Sequence, residues 1–154
     1  MKAKELITVC IAIGISAFIF TPTNTTRIAA HLGFSGAQCD LAIRYQQGKG
    51  VQKNLTKAIK WYRKAAESGN DRAQNNLGVC YAQGEGVEKN PSEAAKWYRK
   101  AAEQENANAQ FNLGLCYERG FGVEQDFTEA TKWFRKAADN GHPEAKKFFE
   151  NSQQ

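Results

Sequence analysis

The chain of 154 residues is 42% hydrophobic and 24% charged, with 13 Gly and 3 Pro, which excludes collagen-like, low-complexity and fully disordered proteins. Its net charge of +5 comes from a mild excess of 21 basic over 16 acidic residues, and it does not indicate binding to nucleic acid, which needs basic residues clustered on one face. Four cysteines are too few for a disulfide scaffold, and the negative mean hydropathy excludes a protein with several membrane spans.

The first thirty residues have the layout of an export signal. Lys2 and Lys4 precede residues 6–20, which carry no charge and are mostly apolar. As a helix this segment would span about 22 Å, which is shorter than the hydrocarbon core of a bilayer. Because no A-x-A cleavage site follows, a cleaved signal peptide and a retained N-terminal membrane anchor both stay open. We therefore expect an exported protein, periplasmic or secreted, that contacts the inner membrane only if this segment is not cleaved.

Residues 21–34 are rich in Thr and contain Pro22 and Gly33, a composition typical of a linker. The predicted boundaries are residues 1–30 for the signal or anchor plus linker, and residues 31–36 for the remaining linker. His31 falls within this linker and is not expected to take part in chemistry.

The rest of the chain repeats one unit three times. Residues 37–72, 73–108 and 109–144 align without a gap, so that each unit has 36 residues. The start of a fourth copy, residues 145–154, is interpreted as a C-terminal capping helix and tail. Because one unit cannot bury its apolar face alone, the stacked units are expected to share a continuous core.

Each unit is predicted to form two helices. In the second unit Ala73, Leu77 and Tyr81 recur at the spacing of one apolar helix face. Gly84 follows as the stop of this first helix, since a residue without Cβ accepts the left-handed conformation. The second helix is predicted to begin at Asn90, which has the N-cap position before a proline.

Residue size predicts how the units stack. Gly78 and Gly114 leave room on the first helices, and rings from one hairpin are expected to lie over these small residues of the next hairpin. A Trp recurs on the second helix of every unit, which indicates a core position. The predicted core of the repeats comprises Leu77, Gly78, Tyr81, Trp97, Tyr98, Leu113, Gly114, Tyr117, Trp133 and Trp61.

These repeated residues resemble a known family. The pattern L-G-x-x-Y-x-x-G-x-G-V, followed by a capping residue and A-x-x-W-[YF]-x-K-A-A, begins here at Leu77 and ends at Ala102. It is similar to the Sel1-like repeat, a relative of the tetratricopeptide repeat, over residues 37 to about 150. The resemblance implies an all-α fold, an α-solenoid of three stacked 36-residue helix-turn-helix repeats plus a C-terminal capping helix. It also implies a non-catalytic scaffold or adaptor role in protein complexes, and exported bacterial members are common in this family.

No familiar catalytic or metal-binding pattern occurs in the sequence. C-x-x-C, H-E-x-x-H, G-x-S-x-G and the phosphate-binding loop are all absent. We therefore predict no catalytic residue, no metal site and no cofactor, and His142 is interpreted as a turn residue before Pro143. The alternative is a β-lactam-binding or β-lactamase-like enzyme, a function that resemblance to cysteine-rich Sel1-like proteins implies. This chain lacks their paired cysteines and the S-x-x-K motif.

The cysteines of the repeats are predicted to be free. Cys80 and Cys116 have equivalent positions on adjacent first helices. The axes of packed helices lie about 8–10 Å apart, whereas the Cα atoms of a disulfide usually lie within about 7 Å, so these two thiols are expected to be buried and unpaired. Cys39 is predicted to be exposed, which leaves an intermolecular disulfide through this residue open.

The predicted partner-binding surface is the concave side formed by the first helices. Its positions differ between the units, as expected for residues that contact a partner. Phe111 is the sharpest candidate, because Cys and Asn occupy its position in the other units. Ile43, Val79 and Leu115 either contact the partner or pack between successive first helices. The residues predicted to contact a protein or peptide partner are Phe111, Arg119, Asn75, Gln83, Glu118 and Gln47.

Overall fold

The structure, a computed structural model, describes residues 21–150, and these residues form eight helices and no strand. The helices are α1 (Pro22–His31), α2 (Ser35–Gln47), α3 (Leu55–Glu67), α4 (Asp71–Gln83), α5 (Pro91–Ala102), α6 (Ala107–Arg119), α7 (Phe127–Asp139) and α8 (Pro143–Glu150). The predicted signal or anchor segment, residues 6–20, lies outside the described residues. From residue 21 to residue 150, no helix is long and apolar enough to cross a membrane.

The helices pack in series along the chain. Within each repeat the first helix packs on the second, in the pairs α2–α3, α4–α5 and α6–α7. Each second helix then packs on the next first helix, and α8 closes the series against α7. This order of contacts is an all-α solenoid with a short C-terminal helix, which confirms the predicted fold class.

Glycines end the first helices, and polar side chains begin the second helices. Gly48, Gly84 and Gly120 have φ angles of 75°, 76° and 65°, a left-handed conformation that glycine adopts without a steric penalty. At the start of α5, the side chain of Asn90 accepts a hydrogen bond from the backbone N–H of Glu93. Asn and Asp begin α3 and α7 in the same way, so each hairpin has a defined turn.

A ring packs over a glycine inside each of the last two hairpins. A Cβ atom added at Gly78 would lie 2.7 Å from the ring of Tyr98, and one added at Gly114 would lie 2.6 Å from the ring of Phe134. The prediction that rings cover the small residues of the next hairpin is therefore wrong, because the glycine side of each first helix faces its own second helix. Between hairpins the close approach is made by a loop glycine. A Cβ atom at Gly86 would lie 2.9 Å from the first residue of α3.

Buried amides join each repeat to the one before it. Nε2 of Gln74 donates to the carbonyl oxygen of Ala66 at 3.0 Å, and Nε2 of Gln110 donates to the carbonyl oxygen of Ala102 at 3.1 Å. Both glutamines are buried, where a paired amide is favourable and an unpaired amide is costly. These bonds therefore fix the spacing between one repeat and the next.

The predicted linker contains a helix that continues this pattern. Nε2 of Gln38 donates to the carbonyl oxygen of Ala30 at 3.2 Å, so α1 meets α2 as each second helix meets the following first helix. The residues Arg27, Ala29 and Ala30 also match the R-x-A-A sequence of every second helix. The prediction of a linker is therefore wrong for this segment. The sequence did not indicate the repeat here, because threonines occupy the positions at which the other units have Trp and Tyr. Helix α1 is thus the second half of a partial repeat.

The predicted core residues occupy two kinds of environment. Leu77 and Leu113 are fully buried on the first helices, and Tyr98 is buried on α5. The three tryptophans are half-buried, and a lysine one turn further along the helix places its ammonium group 4.3–5.1 Å from each ring centre. The half-buried members of the predicted core are Trp61, Tyr81, Trp97, Tyr117 and Trp133.

Candidate partner-binding groove

A polar bridge closes the surface between the first two repeats. The hydroxyl of Tyr62 donates to Oε1 of Gln46 at 2.7 Å. Nε2 of Gln46 donates in turn to Oε2 of Glu85 at 2.9 Å. These three side chains link α3 and α2 to the loop after α4, and they satisfy the buried tyrosine hydroxyl within the protein.

The same three positions are different between the second and third repeats, and a groove takes the place of the bridge. Tyr98 repeats Tyr62, but Ala82 replaces the glutamine and Phe121 replaces the glutamate. Neither replacement can form the hydrogen bonds of the bridge. The groove has a volume of about 220 Å³. Its lining residues are Ala82, Tyr98, Asn112, Leu115, Cys116, Arg119 and Phe121.

The groove combines an apolar wall with hydrogen-bond donors. Tyr98 is only 5% exposed, and its hydroxyl has no hydrogen-bond partner among the described residues. Burial raises the pKa of Tyr98, so the hydroxyl keeps its proton and can donate it to an acceptor. The exposed guanidinium of Arg119 adds a positive charge, with its Nε atom 3.7 Å from Oε2 of Glu118. The arrangement can bind an acceptor group, but it offers no pair of nucleophile and base.

The predicted partner-binding residues lie at several places on the first helices. Arg119 lines the groove, whereas Gln47 and Gln83 are exposed at the ends of α2 and α4 and lie outside its lining. Glu118 is half-buried beside Arg119. Asn75 is buried, and its Oδ1 atom accepts a hydrogen bond from Asn112 at 3.0 Å. The structure therefore brings one of the predicted residues into the groove and places a second beside it.

Phe111 has an internal contact that the sequence did not indicate. Its ring stacks on the ring of His142 with a centroid distance of 4.1 Å and an angle of 12°. Nδ1 of His142 also accepts a hydrogen bond from the backbone N–H of Ala145, at the first turn of α8. Phe111 thus helps to hold the start of the capping helix, and it lies outside the lining of the groove.

Sequence reasoning did not identify Tyr98, Phe121 and Asn112 as site residues. Tyr98 was assigned to the core, where it does lie, and the groove exposes only a small part of it. The sequence feature that could have identified the groove is a pair of substitutions. Relative to the preceding repeat, position 82 has alanine instead of glutamine, and position 121 has phenylalanine instead of glutamate. Each change is unremarkable alone, and only the hydrogen bond between Gln46 and Glu85 shows that the two positions belong together.

The three cysteines of the repeats are free and buried. Cys80 and Cys116 agree with the prediction, but the predicted exposure of Cys39 is wrong, since its exposed fraction is 0%. Cys39 is buried because it belongs to the core that α2 shares with α3 and α4, where it lies with Tyr62 and Leu77. Burial raises the pKa of each thiol to about 11. Within residues 21–150, no group of three or more His, Cys, Asp or Glu side chains could hold a metal ion.

Helix pairs that stack in series, with glycine turns and an open groove on the first-helix face, define an α-solenoid repeat protein. The chain belongs to the Sel1 repeat family, whose repeat matches residues 35–70, 71–106 and 107–142. Each matched repeat begins two residues before the repeat boundary predicted from the sequence, and it begins at the first residue of a first helix. No protein of curated function matches the chain.

Several solved structures are similar to this chain. A Sel1 repeat protein from Oxalobacter formigenes is 41% identical, with a TM-score of 0.75 over 82% of this chain and 95% of that protein. The protective antigen c5321 of uropathogenic Escherichia coli is 32% identical, with a TM-score of 0.81 over 94% of this chain, which spans about a third (34%) of that protein. Cysteine-rich protein B of Helicobacter pylori is 25% identical, with a TM-score of 0.66 over 84% of this chain and 98% of that protein.

Proposed function

We propose that this protein is a non-catalytic interaction module that binds a protein or peptide on the face formed by its first helices. Sel1 repeat proteins are commonly scaffolds for protein interaction. The observation that supports a particular place is the groove at Ala82, where the bridge of the preceding junction is missing and a tyrosine hydroxyl is left without a partner. Ligand sites are typically concave and mostly apolar, with a few placed polar groups, and this groove has that character.

Affinity purification with the full chain tests this proposal. Arg119→Ala removes the charge at the groove, and Lys60→Ala removes an exposed charge of α3, which is a second helix. We expect the first variant to capture less of a native partner, and the second to capture as much as the unmodified protein. Thermal midpoints of both variants should stay close to that of the unmodified protein, because both side chains are exposed. Equal capture by both variants would place the binding surface elsewhere.

We also propose that the protein is exported, on the basis of the basic and apolar N-terminal sequence. Cell fractionation followed by N-terminal sequencing of the purified protein tests this. A mature protein that starts after residue 20 would support a cleaved signal peptide, and a membrane-bound protein that keeps Met1 would support an anchor. Recovery of the intact chain in the cytosolic fraction would contradict export.

The proposed absence of catalysis has its own test. A β-lactam-binding relative would form a covalent adduct with a fluorescent penicillin, which needs an activated nucleophile. The thiols of the repeats are buried and have raised pKa values, so they are poor nucleophiles. We expect no labelled band with purified protein, and a stoichiometric adduct would contradict the proposal.

A further inference from the structure

We infer that the groove between the second and third repeats binds an extended segment of a partner protein in which an aliphatic residue is followed by an acidic one. The aliphatic side chain occupies the groove against Leu115 and Phe121, and the carboxylate binds Arg119. This inference rests on the proposed function, since it names the chemistry of the partner at the same groove.

The size and lining of the groove determine the apolar part of the ligand. The groove has a volume of about 220 Å³, which is enough for several water molecules and therefore for one large aliphatic side chain. Ala82, Leu115 and Phe121 contribute apolar surface to the lining. Burying a Leu side chain completely against such a wall should tighten binding by roughly tenfold to a hundredfold.

The polar groups of the groove determine the charge of the ligand. The hydroxyl of Tyr98, a residue that lines the groove, has no hydrogen-bond partner among the described residues, and Arg119 has an exposed guanidinium with donors beyond the one that faces Glu118. Both groups donate hydrogen bonds, and an anionic acceptor satisfies them more strongly than a neutral one. Asn112 is held in place through its bond to Asn75. A carboxylate therefore fits the positive charge that Arg119 places at the groove, and an ammonium group does not.

The first junction of the solenoid provides an internal comparison. There Gln46 occupies the corresponding space, accepts the hydrogen bond of Tyr62 and is held by Glu85. A ligand at that junction would have to break two hydrogen bonds that the protein already makes. The inferred specificity therefore belongs to the second junction and follows from the two substitutions at positions 82 and 121.

Fluorescence anisotropy with synthetic peptides tests the inference on the full chain. The probe is a fluorescein-labelled, C-terminally amidated Ser-Gly peptide with a central Leu-Glu, named here the Leu-Glu peptide. Two control peptides have Leu-Gln or Ser-Glu at the centre instead. A fourth peptide ends in Leu-Gln and has a free terminal carboxylate. We expect the Leu-Glu peptide to bind about tenfold more tightly than the amidated Leu-Gln peptide, as one charge-assisted hydrogen bond predicts. Loss of the Leu side chain should weaken binding at least as much.

Variants connect the binding to the groove. The double variant Ala82→Gln with Phe121→Glu rebuilds the polar bridge of the first junction, so it should fold and bind the Leu-Glu peptide no better than the Leu-Gln peptide. Arg119→Gln should remove the preference for Leu-Glu, and Lys60→Ala should retain it. Circular dichroism and the thermal midpoint check that each variant is folded.

Three results would overturn the inference. They are equal binding of the Leu-Glu and Leu-Gln peptides, full binding by the double variant, and a preference for the peptide with the free terminal carboxylate over the Leu-Glu peptide. If the Leu-Glu peptide fails while Arg119→Ala still loses a native partner, the ligand chemistry is wrong but the proposed binding face stands. If that variant also captures its partner normally, both proposals fail.

Discussion

Gly122, in the loop of the third repeat, lies directly against the backbone carbonyl of Pro91 at the first turn of α5. A Cβ atom at this position would overlap the carbonyl group, and the φ angle of +73° is in the left-handed region that favours glycine. The loop glycine of one repeat therefore sets how closely it stacks on the preceding repeat.

Alanine variants of Gly122 and Gly120 separate the cost of the backbone contact from the cost of the left-handed conformation. Gly122→Ala combines left-handed strain with a clash against backbone, and we expect a loss of about 3 kcal/mol in the free energy of unfolding. Gly120→Ala is the matched control, because its φ angle is +65° while an added Cβ atom would lie 3.5 Å from its nearest neighbour, Gln125 of the same loop. This variant should lose about 1 kcal/mol. Urea denaturation measures both values. Equal losses would show that the stacking contact has no energetic role.

The sequence predicted the fold well because the repeat period and the glycine turns are local signals. Helix α1 escaped notice because only Arg27, Ala29 and Ala30 of its repeat pattern remain, while Thr25 and Thr26 occupy the positions of the repeated Trp and Tyr. The groove was harder to predict, since it depends on Ala82 and Phe121 together. These positions lie in different repeats, and only their side-chain geometry shows that the equivalent pair is bonded.

A missing hydrogen bond offers a way to stabilise the first repeat. Oε1 of Gln38 is buried without a partner among the described residues, whereas the equivalent oxygen of Gln74 accepts a hydrogen bond from Gln104 at 2.7 Å. Ser68 has the position of Gln104 but is too short, and its hydroxyl donates to a carbonyl of its own helix. We expect Ser68→Gln to raise the free energy of unfolding by about 1 kcal/mol.

The control for this change is Ser68→Ala, which removes the same hydroxyl and adds no donor. Thermal and urea unfolding of the two variants measure the difference. If the glutamine variant is no more stable than the alanine variant, the unpaired oxygen of Gln38 is not costly in solution.

The start of the capping helix should be sensitive to acid. Burial lowers the pKa of His142 from its ordinary value of 6.5, while Glu144 acts in the opposite direction. Below pH 6.5 the unfolded chain therefore binds more protons at this residue than the folded chain, so stability falls as the pH falls through the folded pKa. Protonation also removes the lone pair of Nδ1 that accepts the hydrogen bond of Ala145.

His142→Asn tests this, because asparagine caps the equivalent helices at Asn70 and Asn106 and does not titrate. We expect the thermal midpoint of the variant to fall less on acidification than that of the unmodified protein. A proton-detected titration of His142 gives the pKa directly. Identical pH profiles for the two proteins would contradict the role of this histidine.

The buried thiols should resist alkylation in the folded protein. The thiolate is the reactive form, and the pKa values of about 11 for Cys39, Cys80 and Cys116 leave little thiolate at neutral pH. We expect iodoacetamide to modify these three residues slowly in buffer and rapidly in urea, as measured by peptide mass spectrometry. Fast native labelling of Cys39 would show that the core between α2, α3 and α4 does not bury this residue in solution.

The most direct test of the binding site is a titration of the ¹⁵N-labelled full chain with the Leu-Glu peptide, followed by ¹H–¹⁵N correlation spectra. If the groove is the site, the largest amide shifts will be at Ala82, Leu115 and Phe121, and they will vanish in the variant Ala82→Gln with Phe121→Glu. Shifts confined to the second helices, or shifts that persist in this variant, would contradict binding at the groove.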